Sequence, residues 1–190
     1  DSYKGLIFAT WDREAPSLLD YLGDAAWHLD MCVGRSEGGI DVMQGAHKWM
    51  MQMNWKFPVD NHVGDGYHVP ITHGSVIGLG KSGVLNPNTR PSLSSGVRRS
   101  FTFGNGHGGS VGPWTGPWSS DPDSPVNKFN VEHRDEFRQQ LGDVRAKYQP
   151  GTWAIFPNLV INNPAYSGNL KLFLPRGPMW TLGWSYCFVD

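Results

Sequence analysis

Cysteine is nearly missing from this chain: Cys32 and Cys187 are the only two in 190 residues. Two cysteines cannot build the disulfide framework of a small secreted domain. Neither stands in a CxxC or CxH pattern, so these residues carry no cysteine-based zinc or iron–sulfur site of their own. Two reduced thiols in a cytoplasmic protein are the expectation. Long apolar runs are missing too, since no stretch approaches the ~20 residues of a membrane-crossing helix. No basic, apolar and small-residue leader opens the sequence, so a signal peptide is not expected. Charge of one sign is also not in excess. Sixteen Lys and Arg against 17 Asp and Glu leave a net charge of −1, which argues against a protein held to nucleic acid by charge. With 17% charged and 13% aromatic residues, the composition is not that of an acidic disordered chain.

Glycine (24) and proline (14) are abundant, so turns and irregular loops must be frequent. The length suits one domain or somewhat more. The ends suggest a piece of a longer chain. Residue 1 is Asp, and a strand-like apolar run over 3–11 follows at once. At the other end Trp180, Leu182, Trp184, Tyr186 and Phe188 alternate up to Asp190, the period of a half-buried strand.

Residues 15–32 predict one helix, with Pro16 in its first turn and an apolar stripe through Leu18, Leu22, Ala25 and Leu29. Residues 40–53 predict two strands broken near Gly45, with Val42, Trp49, Met51 and Met53 as core candidates. Residues 56–73 predict an irregular helix and 97–103 a strand. The stretches 78–96 and 104–127 are rich in Gly and Pro and read as long loops over the mouth of a cavity. An amphipathic helix over 128–148 and three or four strands over 152–190 complete the pattern. Strands and helices do not alternate, which favours an α+β fold with an antiparallel sheet.

The chemistry concentrates in NWKFPVDNHVGDGYHVPITH, residues 54–73. Asn61, Asp65 and His68 stand at i, i+4 and i+7, one face of a helix. His73 lies five beyond His68, about 140° away on an ideal helix. The two imidazoles share an ion only if the helix breaks between them, and Pro70 supplies a break. Gly64 and Gly66 loosen the helix further, at about 1 kcal/mol each against Ala. Two imidazoles and a carboxylate on one octahedral face make the non-haem iron(II) pattern, with positions open for oxygen. Two histidines at this spacing are also common as ordinary surface or core residues, and both readings stand at this point. His28 and His133 are expected to be solvated, His47 and His107 to lie outside any metal site, and Lys171, Arg176, Arg98 and Arg99 to be ordinary solvated charges.

The same stretch resembles the iron-binding helix of Rieske-type aromatic-ring-hydroxylating dioxygenase large (alpha) subunits, the naphthalene and biphenyl dioxygenase group. YKGLIFATWDREAPSLLDYLGD, from residue 3, is similar to the segment that follows the Rieske domain in that family. Phe156-Pro157-Asn158-Leu159 and Leu174-Pro175-Arg176-Gly177-Pro178 are similar to its later strand motifs. The resemblance covers nearly the whole chain.

It implies a helix-grip (START/Bet v 1-like) fold, a curved antiparallel sheet around a long helix. Residues 1–190 would be part of the mononuclear-iron catalytic domain, C-terminally incomplete, with the Rieske domain absent from them. It implies His68 and His73 as ligands of Fe(2+). Asp65 would bridge electrons from a [2Fe–2S] Rieske cluster of the neighbouring subunit. Asn61 would lie beside the iron, and His62 and Val69 near the substrate pocket. The third ligand would be an aspartate beyond the end of this chain, not Asp190. The implied reaction adds both atoms of O2 to an aromatic ring to give a cis-dihydrodiol. Its substrate would be an aromatic hydrocarbon or aromatic acid. Electrons would come from NADH through a ferredoxin and reductase, and the intact enzyme would be an α3 or α3β3 oligomer, with no nucleic-acid or membrane partner. This chain alone would be inactive. His62 stands where an aromatic or aliphatic residue is common, Pro70 where glycine is common, and 97–127 departs from the pattern. Two rivals remain: a zinc hydrolase using Asp65 or Asp60 as third ligand, and a helix-grip module that binds lipids or other hydrophobic ligands without catalysis.

Overall fold

The computed structural model describes residues 1–64, 68–73, 99–114, 123, 125–162 and 167–190. The apolar run at the start folds into a small hairpin, β1 (Ser2–Tyr3) with β2 (Leu6–Ile7), turned by Lys4 and Gly5 at positive φ. The helix expected over 15–32 is two helices, α1 (Leu18–Leu22) and α2 (Asp24–Val33). Gly23, at φ 48°, leaves the right-handed helical region between them, and its N–H closes α1 on the Leu19 carbonyl. Ser17 starts α1 by accepting the Asp20 N–H at 3.2 Å.

Eight strands form one antiparallel sheet. They are β3 (Asp41–Val42), β4 (His47–Met51), β5 (Arg99–Thr102), β6 (Gly108–Pro113), β7 (Tyr148–Ile155), β8 (Leu159–Asn162), β9 (Ser167–Pro175) and β10 (Thr181–Val189). The order is β3-β10-β9-β8-β7-β6-β5, and β4 shares the β10 edge with β3. The two strands expected over 40–53 are in place, and the three or four expected over 152–190 are four, the first of which already begins at Tyr148. Val42, expected in the core, is 49% exposed because β3 lies at the sheet edge.

Strand alternation gives the sheet two apolar faces. Trp153, Ile161 and Leu170 stand in register on one face. Leu22, Ala25, Leu29, Cys32 and Val33 pack on them, forming the larger core. Ala154, Val160 and Phe173 face the other way, where α3 (Lys56–Val63) seats Val59, with Trp49, Met51 and Val63 around it. The fold is the expected α+β type, an antiparallel sheet with helices packed across it.

The reading of 104–127 as loop was wrong for 108–113, which is the inner strand β6. Its glycines are seats for large neighbours. A Cβ on Gly109 would lie 2.1 Å from Trp153 Cε3, and one on Gly108 would lie 2.5 Å from Val63 Cγ1. Glycine here marks close approach, not a turn. The stretch 78–96 lies outside the described residues. The helix expected over 128–148 is divided into α5 (Pro125–Glu132) and α6 (Arg134–Arg145), with Gly142 at φ 76° near its end.

Neither His28 nor His133 is solvated as expected. His28 is half-buried and stacks on Phe103 at 4.2 Å, and burial lowers its pKa. His133 is half-buried, stacks on Phe129 at 4.2 Å and has Nδ1 2.9 Å from the Phe129 carbonyl. His107 is only 1% exposed. Its Nδ1 accepts the Phe156 N–H at 3.0 Å and its Nε2–H donates to the Tyr21 carbonyl at 2.9 Å, which ties α1 to the β7–β8 turn. Asp190 is buried in an ion pair with Arg35 and accepts from Ser36 Oγ at 2.9 Å, fastening the end of β10 beside the end of α2.

Candidate metal centre and substrate cleft

Helix α3 begins where the Asn54 side chain accepts the Lys56 N–H at 3.1 Å. Asn54 Nδ2 also donates to the Pro178 carbonyl at 2.9 Å, anchoring this turn to the β9–β10 connection. Pro58 falls in the first turn, where a missing N–H costs nothing. Val59 and Val63, one turn apart, press the helix on the sheet, and Gly108 lets it come close. The helix ends at Val63, because Gly64 (φ −130°, ψ −14°) leaves helical geometry. Asn61 and His68 therefore belong to separate helices, not to one continuous face. Asp65 lies outside the described residues, as does the side chain of Val69.

A second helix, α4 (His68–Thr72), carries the histidine pair. His68 is its first residue and half-buried; His73 follows its last residue and is exposed. The break expected at Pro70 is not there, because α4 runs through Pro70. Pro70 is the helix's third residue, where the backbone N–H has no intrahelical acceptor to lose. His73 follows the helix directly, in a turn position. The two rings meet edge to face, with centroids 5.2 Å apart and planes at 68°. Two imidazoles sharing one ion at about 2.1 Å have centroids roughly 5 Å apart, so this pair fits a common metal. Among the described residues no group of three His, Cys, Asp or Glu side chains converges.

Beside α3 a cleft of about 610 Å³ opens between the helix, β4 and β9. Trp49, Met51, Met53, Phe57 and Phe173 give its apolar walls, and Asp60, Asn61, His62 and Lys171 its polar groups. Asn61 and Asp60 are exposed. His62 is half-buried, with its ring 5.9 Å from that of Phe173. Its Nδ1 lies 2.5 Å from the Pro58 carbonyl and its Nε2 3.3 Å from Lys171 Nζ. A carbonyl only accepts and an ammonium only donates, so the imidazole carries its proton on Nδ1. Burial holds its pKa below the usual histidine value, helped by the charges of Lys171 and His68 and opposed by the bond to Pro58.

Lys171 was expected to be an ordinary solvated charge, and it is not. It is half-buried, reaches His62, and burial lowers its pKa. The signal was present in the sequence Leu170-Lys171-Leu172-Phe173-Leu174. Strand alternation puts Lys171 on the face of Phe173, and Phe173 is 3% exposed. Whatever shares that face sits under α3.

A family model, the ring hydroxylating alpha subunit (catalytic domain), matches residues 18–190. The large oxygenase component of the naphthalene 1,2-dioxygenase system from Ralstonia sp. is 32% identical over 196 residues. The alpha subunit of biphenyl 2,3-dioxygenase from Rhodococcus jostii (strain RHA1) is 29% identical over 202 residues. All of this chain is covered in both, but only 43% and 42% of those proteins, so the chain spans less than half of their length. The crystal structure of naphthalene 1,2-dioxygenase from Rhodococcus sp. bound to indole superposes with a TM-score of 0.77 at 32% identity, covering 100% of this chain and 44% of that one.

Proposed function

This chain belongs to the ring-hydroxylating alpha-subunit family, matching its catalytic domain, and on that premise we propose that it serves an oxygenase that adds both atoms of O2 to an aromatic ring, giving a cis-dihydrodiol. The observation that carries the reading is the meeting of the His68 and His73 rings, 5.2 Å between centroids.

Neutral imidazoles are iron(II) donors, and His68 and His73 would hold that ion, with a carboxylate from outside these residues as third ligand. Such an ion supplies oxygen activation at open coordination positions. The chain's own residues do the rest. Trp49, Met51 and Phe173 give the ring an apolar surface and exclude water from it. Asn61, which lines the cleft, would sit beside such an ion, and Val69 would contribute to the pocket. His62, proton on Nδ1, offers no second N–H to the cleft. Asp65 would be the carboxylate that passes electrons on from a [2Fe–2S] Rieske centre of a neighbouring subunit, with NADH, reductase and ferredoxin as the source. The working form is an α3 or α3β3 assembly in the cytoplasm. Among the described residues no helix is long and apolar enough to cross a membrane.

The convergence of the two rings weighs against a non-catalytic binding module. The exposure of Asp60, outside any three-group cluster among the described residues, weighs against its completing a zinc hydrolase site. The test uses the intact oxygenase, iron-loaded, with reductase, ferredoxin, NADH, an aromatic substrate and ¹⁸O2. Two labelled oxygens in one cis-diol are expected. A hydrolytic product, or activity supported by zinc, refutes the reading. Asp65→Ala is expected to retain iron and lose NADH-driven turnover.

A further inference from the structure

We propose that Lys171 is the anion-recognising residue of the cleft, and that the natural substrate is an aromatic carboxylate held by its carboxylate end. This deepens the oxygenase reading above and rests on it. Lys171 stands on the α3 face of β9, in register with Val160 and Ser185 on either side. Lys171 is half-buried, and its one polar partner among the described residues is His62 Nε2, at 3.3 Å. A buried ammonium normally finds a carboxylate, because leaving its charge uncompensated is costly. Here the partner is a neutral acceptor that takes one of three N–H donors, and the others remain for a ligand. Desolvation is the resolved cause of the lowered Lys171 pKa, with no acid offsetting it. Asp60, the other ionisable side chain of the cleft besides His62, is exposed and makes no ion pair with Lys171.

The rest of the wall has the opposite character. Trp49, Met51 and Phe173 are apolar, and Trp49 lies so close over Gly183 that a Cβ there would meet its ring at 2.6 Å. A flat apolar body with one anionic end matches this surface. A single lysine against a neutral imidazole suits a monoanion, where a phosphate or dianion would call for a second cation or an arginine fork.

The test is anaerobic binding of 2-naphthoate, 2-naphthol and naphthalene to the intact iron-loaded oxygenase, followed by turnover of each. A charge-assisted contact predicts that 2-naphthoate binds about ten- to a hundredfold tighter than naphthalene, with 2-naphthol close to naphthalene. The naphthoate preference should shrink between 0.05 and 0.5 M salt, and Lys171→Arg should keep it. Lys171→Met should lower the acid-to-arene affinity ratio about tenfold or more. Equal affinities in the unmodified enzyme, or a ratio unchanged in Lys171→Met, overturn the proposal and make Lys171 a partner for an acidic residue of the protein. The salt series needs no variant, so it decides the matter even if Lys171→Met does not fold. Naphthalene oxidised to a cis-diol while naphthoate is ignored sinks this inference and leaves the oxygenase reading standing. Naphthoate held through Lys171 while neither it nor naphthalene is oxidised keeps the anion contact but overturns the oxygenase reading and, with it, the substrate assignment.

Discussion

Replacing Gly108 by alanine puts a methyl carbon 2.5 Å from Val63 Cγ1 and 2.9 Å from the Phe101 carbonyl oxygen. Carbon atoms settle at about 3.5–4.0 Å, so the Val63 methyl must retreat by about 1 Å or more. Val63 is the last residue of α3, so the strain falls on the helix that lines the cleft and leads toward His68. Overpacking of this kind costs about 1–3 kcal/mol, reduced by the ~0.4–1 kcal/mol that Gly→Ala returns through the unfolded chain. A net loss of about 1–2 kcal/mol is expected. Val63→Ala alone removes two half-buried methyl groups and should cost about 1 kcal/mol. In the double variant the new methyl occupies space the valine vacated, so the loss should fall short of the sum by about 1 kcal/mol. Rescue is incomplete, because the Phe101 carbonyl is backbone and stays. Urea unfolding of the four proteins gives the coupling directly. Additive losses, within about 0.3–0.5 kcal/mol, would refute the idea that Gly108 is glycine to seat α3.

His68→Ala and His73→Ala in the intact oxygenase should each lose the mononuclear iron while the Rieske iron stays, as read by metal analysis with the Rieske spectrum as internal reference. Burial chiefly lowers the pKa of His107, and its bond to the Tyr21 carbonyl opposes that. The folded pKa therefore lies below the unfolded 6.5, and the stabilisation is complete above pH 6.5 and falls away as pH drops toward the folded value. Urea midpoints between pH 7.5 and 5.5 should fall, and less steeply in His107→Gln, where no imidazole remains to titrate. Breaking the buried Arg35–Asp190 pair from one side, by Arg35→Met or Asp190→Asn, should cost about 3–5 kcal/mol, and Arg35→Met with Asp190→Leu markedly less than either single loss predicts.

The last strand could be read in advance because Trp180, Leu182, Trp184, Tyr186 and Phe188 alternate into and along it, a pattern that pairing with β9 reinforces. The helix breaks could not: Gly23, and Gly142 near the end of α6, leave helical geometry only through the φ they adopt, and the division at His133 falls on a residue with no breaking signal. β6 was hidden for the opposite reason. Its glycines look like loop residues until Trp153 and Val63 are known to lie over them. At the site, the spacing of His68 and His73 carried the pairing, but not the way it is reached. The rings meet with α4 continuous through Pro70 and His73 just past its end, not across a break at Pro70. Lys171 was missed because a lysine between leucines looks solvated until the strand's partner face is known to lie under a helix.

Gly108 and Gly109 are adjacent in β6, yet one receives α3 and the other the Trp153 side of the sheet. The sheet thereby works as a septum between two compartments with separate duties. The α2 compartment, with Leu22, Leu29, Cys32 and Phe188 almost fully enclosed, holds most of the buried apolar side chains. The α3 compartment is smaller and opens onto the cleft. Changes to cleft walls such as Met51 or His62 leave the first compartment's packing intact, so ligand preference can drift over generations without endangering the fold. The two histories meet at one dipeptide, where any side chain at all would intrude on one compartment or the other.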